Sequence, residues 1–402
     1  MGSGLSIPKN RATFVVAAAG KGCTIRSMQT RRWIVVVGLI ALLLASKSPH
    51  PVAAAESKAK PLWTVELKAD GLRKFRHGLV NDPGSEASVA CTDQVVAVVF
   101  DAGVARDKDH VPSKSAPSGW RIVGLFFDRS SGAVLARRSW TEDTHTELFA
   151  TADGNFLLHL RHFTGFLSDG PWASVLLLLS PKGDELKRIE LRVNGDSKHQ
   201  WWETQAAPSG KSVLLTHVQD DQREYHLLDA DTLHERNSWK AIEGHKSRIA
   251  SISDNEVLRI DQGIASIGAP GQPGHQTSLP AGASSLANDS LVLTRTGRPP
   301  RLLLTTLTND KVSSVELHLP SGVQSIEPLF TCAKGTHLGA IVSAPGSQRH
   351  PMLYVWHIPG QEPIFAAGVH WTVISAQAAL APDGSWLAVV ERGRVSVFRL
   401  AN

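Results

Sequence analysis

One pattern recurs seven times between residues 89 and 390 and restricts the fold more than any other feature. It is a small or apolar pair, a tight polar turn, then an alternating apolar run. It reads VACTDQVVAVVF over Val89 to Phe100, LFATADGNFLLHL over Leu148 to Leu160, QAAPSGKSVLLTH over Gln205 to His217 and ASISDNEVLRI over Ala250 to Ile260. Three more copies follow, from Ser285 to Arg295, Leu329 to Ser343 and Ala378 to Val390. Their turn residues, Asp93, Asp153, Ser209, Asp254, Asp289, Lys334 and Asp383, stand about 35 to 60 apart. Period-two alternation on both sides of a polar turn is the signature of a β-hairpin.

A second hairpin follows the first in each unit. Its turns are Arg129 to Gly132, Pro181 to Asp184, Asp229 to Thr232 and Asn309-Asp310, flanked by apolar runs such as Ile122 to Phe127 and Val175 to Leu179. Gly, Asp and Asn supply turn conformations that other residues resist. Residues 56–402 carry no convincing 3.6-residue period, so the fold class is all-β. Four strands per repeat of this length predict a seven-bladed β-propeller. After Val390 only Arg394 to Leu400 remains, which leaves the last blade one strand short. The expected donor is Leu62 to Leu67, the N-terminal strand of the mature chain. Pairing it with the last blade closes the ring and removes an exposed edge.

Glu243-Gly244-His245 followed by Arg248 to Ile260 resembles the Gly-His approach to an inner strand in the WD40-like propeller superfamily. Ala381-Pro382-Asp383-Gly384-Ser385 with Leu387 to Val390 is similar to that family's first hairpin. The resemblance runs over nearly all of residues 60–402. It departs from the family in having no Trp-Asp dipeptide closing a third strand and in its irregular blade lengths. What it implies is architecture, because propellers host binding modules and enzymes alike.

The chain of 402 residues is formally +5, which raises nucleic acid or an anionic membrane as a partner. The location of that charge excludes both. Residues 1–55 hold seven basic side chains and no acidic one, so residues 56–402 keep 42 − 7 = 35 basic against 37 acidic, net −2. No basic run interleaved with aromatics follows, and a phosphate-tracking groove needs one. The leader itself reads as a secretory signal: Arg31-Arg32, an apolar stretch of 13 residues from Trp33 to Ala45, then Ala53-Ala54-Ala55 before Glu56. The domain assignment is therefore an upstream extension over 1–27, with the true start at Met28, a signal peptide over 28–55 and the propeller over 56–402. The expected location is extracytoplasmic, periplasmic or secreted. The alternative is an anchor formed by an uncleaved segment 33–55, although its apolar stretch is shorter than the roughly 20 residues a membrane span needs. Arg31-Arg32 raises the twin-arginine route, which Trp33-Ile34-Val35 fits poorly.

Export leaves Cys91 and Cys332, Cys23 having been lost with the leader. Each stands two residues before the turn of a first hairpin, in blades one and six, too far apart for a disulfide that needs Cα atoms within about 7 Å. Two free, buried thiols are expected.

Candidate chemistry is sparse. His145, His199, His245 and His370 all precede inner strands and are expected near one face of the channel. Four imidazoles there can bind a metal in principle. The stronger reading, which the resemblance implies, is hydrogen bonding within each blade, so no metal and no cofactor is assigned. Trp201-Trp202 with Glu203 and His199, read as a connection between blades, offers a flat stacking surface for a sugar. Trp63, Trp140 and Trp239 read as caps on seams between blades. His159 and His162 are three apart, which on a strand sends them to opposite faces. Glu142-Asp143 and Asp220-Asp221 read as solvated turn carboxylates, and Val104 to Gly119 as a polar insertion in the first blade.

No nucleophile elbow, P-loop, dinucleotide fingerprint, C-x-x-C or H-E-x-x-H occurs. The expectation is an exported, monomeric, non-catalytic binding or scaffold protein for a protein or glycan partner. The alternatives are a propeller enzyme working at the channel mouth, either a quinoprotein-like oxidoreductase or a carbohydrate-active lyase or hydrolase, and a subunit of a cell-envelope assembly.

Overall fold

A computed structural model describes residues 60–67, 87–101, 122–140, 145–163, 172–191, 200–220, 222–241, 248–261, 264–272, 283–288, 291–298, 300–308, 311–343, 351–369, 377–391 and 393–400. The chain divides into two units, 1–50 and 51–402, and every described residue belongs to the second. Among the described residues there is no helix long and apolar enough to cross a membrane. The expected signal peptide, His199, His245, His370, Glu142-Asp143 and the Val104 to Gly119 insertion lie outside them.

The strands fall into seven antiparallel sheets. A first strand, β1 (Trp63–Glu66), precedes them all. Blade 1 is β2 (Ser88–Cys91), β3 (Val95–Asp101), β4 (Ile122–Asp128) and β5 (Val134–Trp140). Blade 2 is β6 (His145–Ala150), β7 (Phe156–Phe163), β8 (Trp172–Leu179) and β9 (Glu185–Leu191). Blade 3 is β10 (Gln200–Ala206), β11 (Ser212–Gln219), β12 (Gln222–Asp229) and β13 (Glu235–Lys240). Blade 4 shows three strands among the described residues, β14 (Arg248–Ile252), β15 (Val257–Asp261) and β16 (Ile264–Gly268), where four were expected; residues 273–282, which follow, are outside that set. Blade 5 is β17 (Ala283–Asn288), β18 (Leu291–Thr296), β19 (Arg301–Thr308) and β20 (Lys311–Leu317). Blade 6 is β21 (Ser325–Thr331), β22 (His337–Ser343), β23 (Met352–His357) and β24 (Pro363–Gly368). Blade 7 is β25 (Gln377–Leu380), β26 (Trp386–Glu391) and β27 (Arg394–Arg399).

Each blade packs on the next through its sheet faces, which explains why its middle strands read as nearly unbroken apolar runs. In β3 the side chains divide between two seams. Val96, Val98 and Phe100 join Val395 and Val397 of blade 7, while Val95, Ala97 and Val99 join Phe156, Leu158 and Leu160 of blade 2. Full burial of each of these Val, Leu and Phe side chains stabilises by about 1.5–3 kcal/mol. Trp63, Trp140 and Trp239 each cap a seam, as expected.

The hairpin turns are held by their own side chains. At the end of β4, Asp128 Oδ1 accepts from the Ser130 and Ser131 amides at 3.1 and 2.8 Å and from both hydroxyls. These bonds, led by that from the Ser130 hydroxyl, bring the Asp128 carboxyl down to about 2. No Trp precedes this Asp, but the third strands of blades 1 and 3 both end on one, Asp128 and Asp229.

Blade 7 gains its fourth strand from β1, which pairs antiparallel with β27, Trp63 opposite Val397 and Glu66 opposite Arg394. Backbone bonds from Leu62 N to Val397 O and from Leu67 N to Gly393 O, both 2.8 Å, flank the ladder. Trp63 also reaches blade 1: its Nε1 donates to Arg129 O at 2.8 Å and its ring lies 5.7 Å from Phe127.

Candidate functional site

Seven inner strands converge on a channel, and crowding there selects small side chains. Ala90, Ala150, Ala206, Ser251, Ala287 and Ala379 supply its wall from six different blades. Because every inner strand runs in the same sense, the two ends of the channel differ. At one end lie the first-hairpin turns; at the other the inner strands begin.

The turn end opens into a cavity of ≈ 940 Å³. Its rim is tied across three of the blade seams. Thr151 Oγ1 of blade 2 donates to Asp231 of blade 3, and the Asp153 amide reaches the same carboxylate at 3.4 Å. Ala152 N donates to Gly210 O at 2.9 Å. Ser209 Oγ donates to Asp254 of blade 4, which also lies 3.9 Å from Lys211 Nζ. Between blades 6 and 7, Lys334 N reaches Pro382 O at 3.2 Å. Two turn carboxylates, Asp231 and Asp254, therefore bond to the preceding blade. Asp93, Gln94, Asp153 and Lys334 remain exposed on the rim.

The opposite end holds a smaller cavity of ≈ 420 Å³. Here the seam between blades 2 and 3 turns polar. Glu147 of β6 stands opposite His159 of β7, with Oε2 3.2 Å from His159 Nδ1. Arg161 Nη2 donates to Glu147 Oε1 at 2.8 Å. Across the seam, Thr204 Oγ1 of β10 is 2.7 Å from the same His159 Nδ1. His159 is 0% exposed. A nucleophile triad needs base contacts through both ring nitrogens, whereas here hydroxyl and carboxylate meet one nitrogen, so this is a positioning network.

The predicted residues fare differently. Trp201, Trp202 and Glu203 do not lie in a connection: they are inside β10, the inner strand of blade 3. Strand alternation separates them, so they do not form a single stacking surface. Trp202 packs in the seam with blade 2, stacked on His217 at 4.6 Å and 17°. Trp201 lies on the other face, where its Nε1 donates to Glu203 Oε1 at 3.0 Å. His145 is the first residue of β6, while His199, His245 and His370 lie outside the described residues. Among the described residues no group of three His, Cys, Asp or Glu forms a metal site.

Sequence reading missed Glu147, Thr204 and Gln205. The one available signal was His159, a lone imidazole in the apolar run of β7. Cys91 and Cys332 are both free and buried. Burial pushes the Cys91 thiol up to about 12, against the opposing pull of Arg129.

Sheet order and register define a seven-bladed β-propeller. No family model matches the chain, and no curated protein matches it in sequence. Solved structures similar to it include a chain of "Crystal Structure of Mitotic Checkpoint Complex", 11% identical over 97% of this chain and 99% of that one, TM-score 0.48. BamB from Moraxella catarrhalis is 13% identical over 85% and 99%, TM-score 0.40. Kuenenia stuttgartiensis hydrazine synthase is 12% identical over 81% and 98%, TM-score 0.47.

Proposed function

We propose that this protein is an exported, non-catalytic propeller that presents the turn-lined mouth of its channel to a protein partner. The observation that carries the reading is the tied rim around the ≈ 940 Å³ opening. A surface fixed before contact loses little conformational freedom on binding, which favours it as a docking platform. Its exposed groups, Asp93, Asp153 and Lys334, offer both signs of charge to a polypeptide. Export rests on the leader of residues 31–55.

The test is site-specific photocrosslinking in the native envelope or secreted fraction, with the probe at Asp93 or Lys334 and, for comparison, at Leu186 on the outer strand β9. A defined polypeptide captured from both rim positions, and lost on Lys334→Glu with Asp93→Lys, is the expected result. Capture from Leu186 alone contradicts the docking face. Mass spectrometry of the native protein should begin at or near Glu56; retention of Met28 to Ala55 in a soluble cytoplasmic fraction contradicts export.

A further inference from the structure

Next to the exposed Lys334 of the rim, blade 6 meets blade 7 through a buried imidazole. His337 opens β22 directly after the turn that carries Lys334, and it is 3% exposed. Its ring lies against Gly384 in the first-hairpin turn of blade 7, in a slot that exists because Gly384 has no Cβ. Beside it Lys334 N bridges the same seam, donating to Pro382 O at 3.2 Å.

The hydrogen bonds around His337 suit a neutral ring and not a cation. Nδ1 is 3.0 Å from Thr336 Oγ1, which serves either tautomer, because a hydroxyl both donates and accepts. Among the described residues Nε2 is buried and meets no partner. In the imidazolium both nitrogens carry a proton, so one N–H is left buried without an acceptor. Such a donor costs its full desolvation.

The titratable and charged neighbours are few. His357 of β23 stands opposite His337, ring edge towards ring at 4.9 Å, so a proton on it repels one on His337. Cys332 is buried and accepts from the His337 amide on Sγ at 3.3 Å. Asp383 of blade 7 attracts a proton to His337, but its Oδ1 is held by the Ser385 amide and hydroxyl at 2.9 and 2.6 Å. Arg129 and Lys334 also draw on its charge. Burial, with His357 adding to it, prevails over Asp383 and holds the imidazole below its ordinary value.

We propose that the seam between blades 6 and 7 is a pH-operated latch: protonation drives His337 out of its slot against Gly384 and frees the Lys334 sector of the rim. A ring that leaves the slot to take a proton separates blade 7's turn from β22, and with it Pro382 from Lys334. That the latch governs docking rests on the rim being the docking face; the latch itself needs no partner.

Amide hydrogen exchange of the full chain between pH 7.5 and pH 5 tests it, read as protection factors so that the intrinsic pH dependence of exchange cancels. If only the open seam binds the proton, near pH 6.5, its opening constant rises ~30-fold by pH 5. Protection of the Lys334 amide should therefore fall at least about tenfold. That of Thr92, bonded to Val95 O in the corresponding turn of blade 1, should hold. In His337→Gln the fall at Lys334 should vanish. No fall at Lys334, an equal fall at Thr92, or a full fall in the folded variant overturns the latch. Should His337→Gln not fold, the difference between Lys334 and Thr92 in the unaltered chain decides. Photocrosslinking from Lys334 then reads the consequence, with capture at pH 7.5 lost at pH 5. Equal capture at both overturns control of docking, whereas no capture at either pH overturns the rim and not the latch.

Discussion

Gly132 stands so close to Trp63 that a Cβ on it would lie 2.6 Å from the indole. The turn of blade 1 thus closes directly onto the strand that completes blade 7. Gly132 also has φ +71°, in the left-handed region. Gly132→Ala combines backbone strain with overpacking and should destabilise by roughly 2–4 kcal/mol. Gly154→Ala is the comparison: φ is +81° but nothing lies within 4 Å, so strain alone, about 1 kcal/mol, is expected. Urea titration of the two variants checks the ordering, and equal losses would refute the close approach.

Deleting residues 56–68 removes β1 and leaves β27 as a bare edge. The loss of Trp63 packing and of the ladder should cost roughly 3–5 kcal/mol, and the open edge should promote self-association. Light scattering and thermal denaturation of the truncated protein read both effects; an unchanged melting temperature would argue against a structural role for the strand.

Burial holds His337 and His217 below the ordinary imidazole value, with His357 adding to the effect at His337 and His226 at His217. Asp383 and Glu224 oppose it. Unfolded His takes up a proton near pH 6.5, whereas these two do so only at lower pH. The stability that they contribute is complete above about pH 6.5 and falls as pH drops through their folded values. Melting temperatures between about pH 7.5 and pH 5 should decline, and His337→Gln should flatten the decline. A variant with an unaltered pH slope would show that His337 does not carry it.

With its thiol raised to about 12 by burial, Cys91 stays protonated at neutral pH, and a protonated thiol is a poor nucleophile. A thiol reagent added near pH 8 to protein starting at Glu56 should find no reactive group in the native state and two after denaturation without reductant. Recovery of none after denaturation would mean a disulfide and a different arrangement of blades.

The ring and its seven units were legible because the first hairpin of every blade uses the same local chemistry, from Asp93 in blade 1 to Asp383 in blade 7. Local turn signals survive in a single sequence. The channel network was not legible, because Thr204 and His159 meet across a seam while standing 45 residues apart. No spacing rule predicts such a pair: it depends on how two sheets face each other. Trp201 and Trp202 were misplaced for a related reason. Aromatic neighbours in a polar context read as loop, yet in β10 they lie on opposite faces, Trp202 in the seam with blade 2 and Trp201 against Glu203.

The join between β1 and β27 sets the order in which the molecule can be assembled. Thr64 and Ser396, whose hydroxyls lie 3.1 Å apart, are 332 residues apart in the chain. Bringing such ends together costs about 4 kcal/mol more in chain entropy than closing a four-residue hairpin. The first strand of the described fold to emerge during synthesis therefore waits for the last, and fast local hairpins must form before the slow circular step. Until then the nascent molecule is an open arc whose two bare ends each need the other, so segregation of folding intermediates from one another matters more for this protein than for one built from neighbours in sequence.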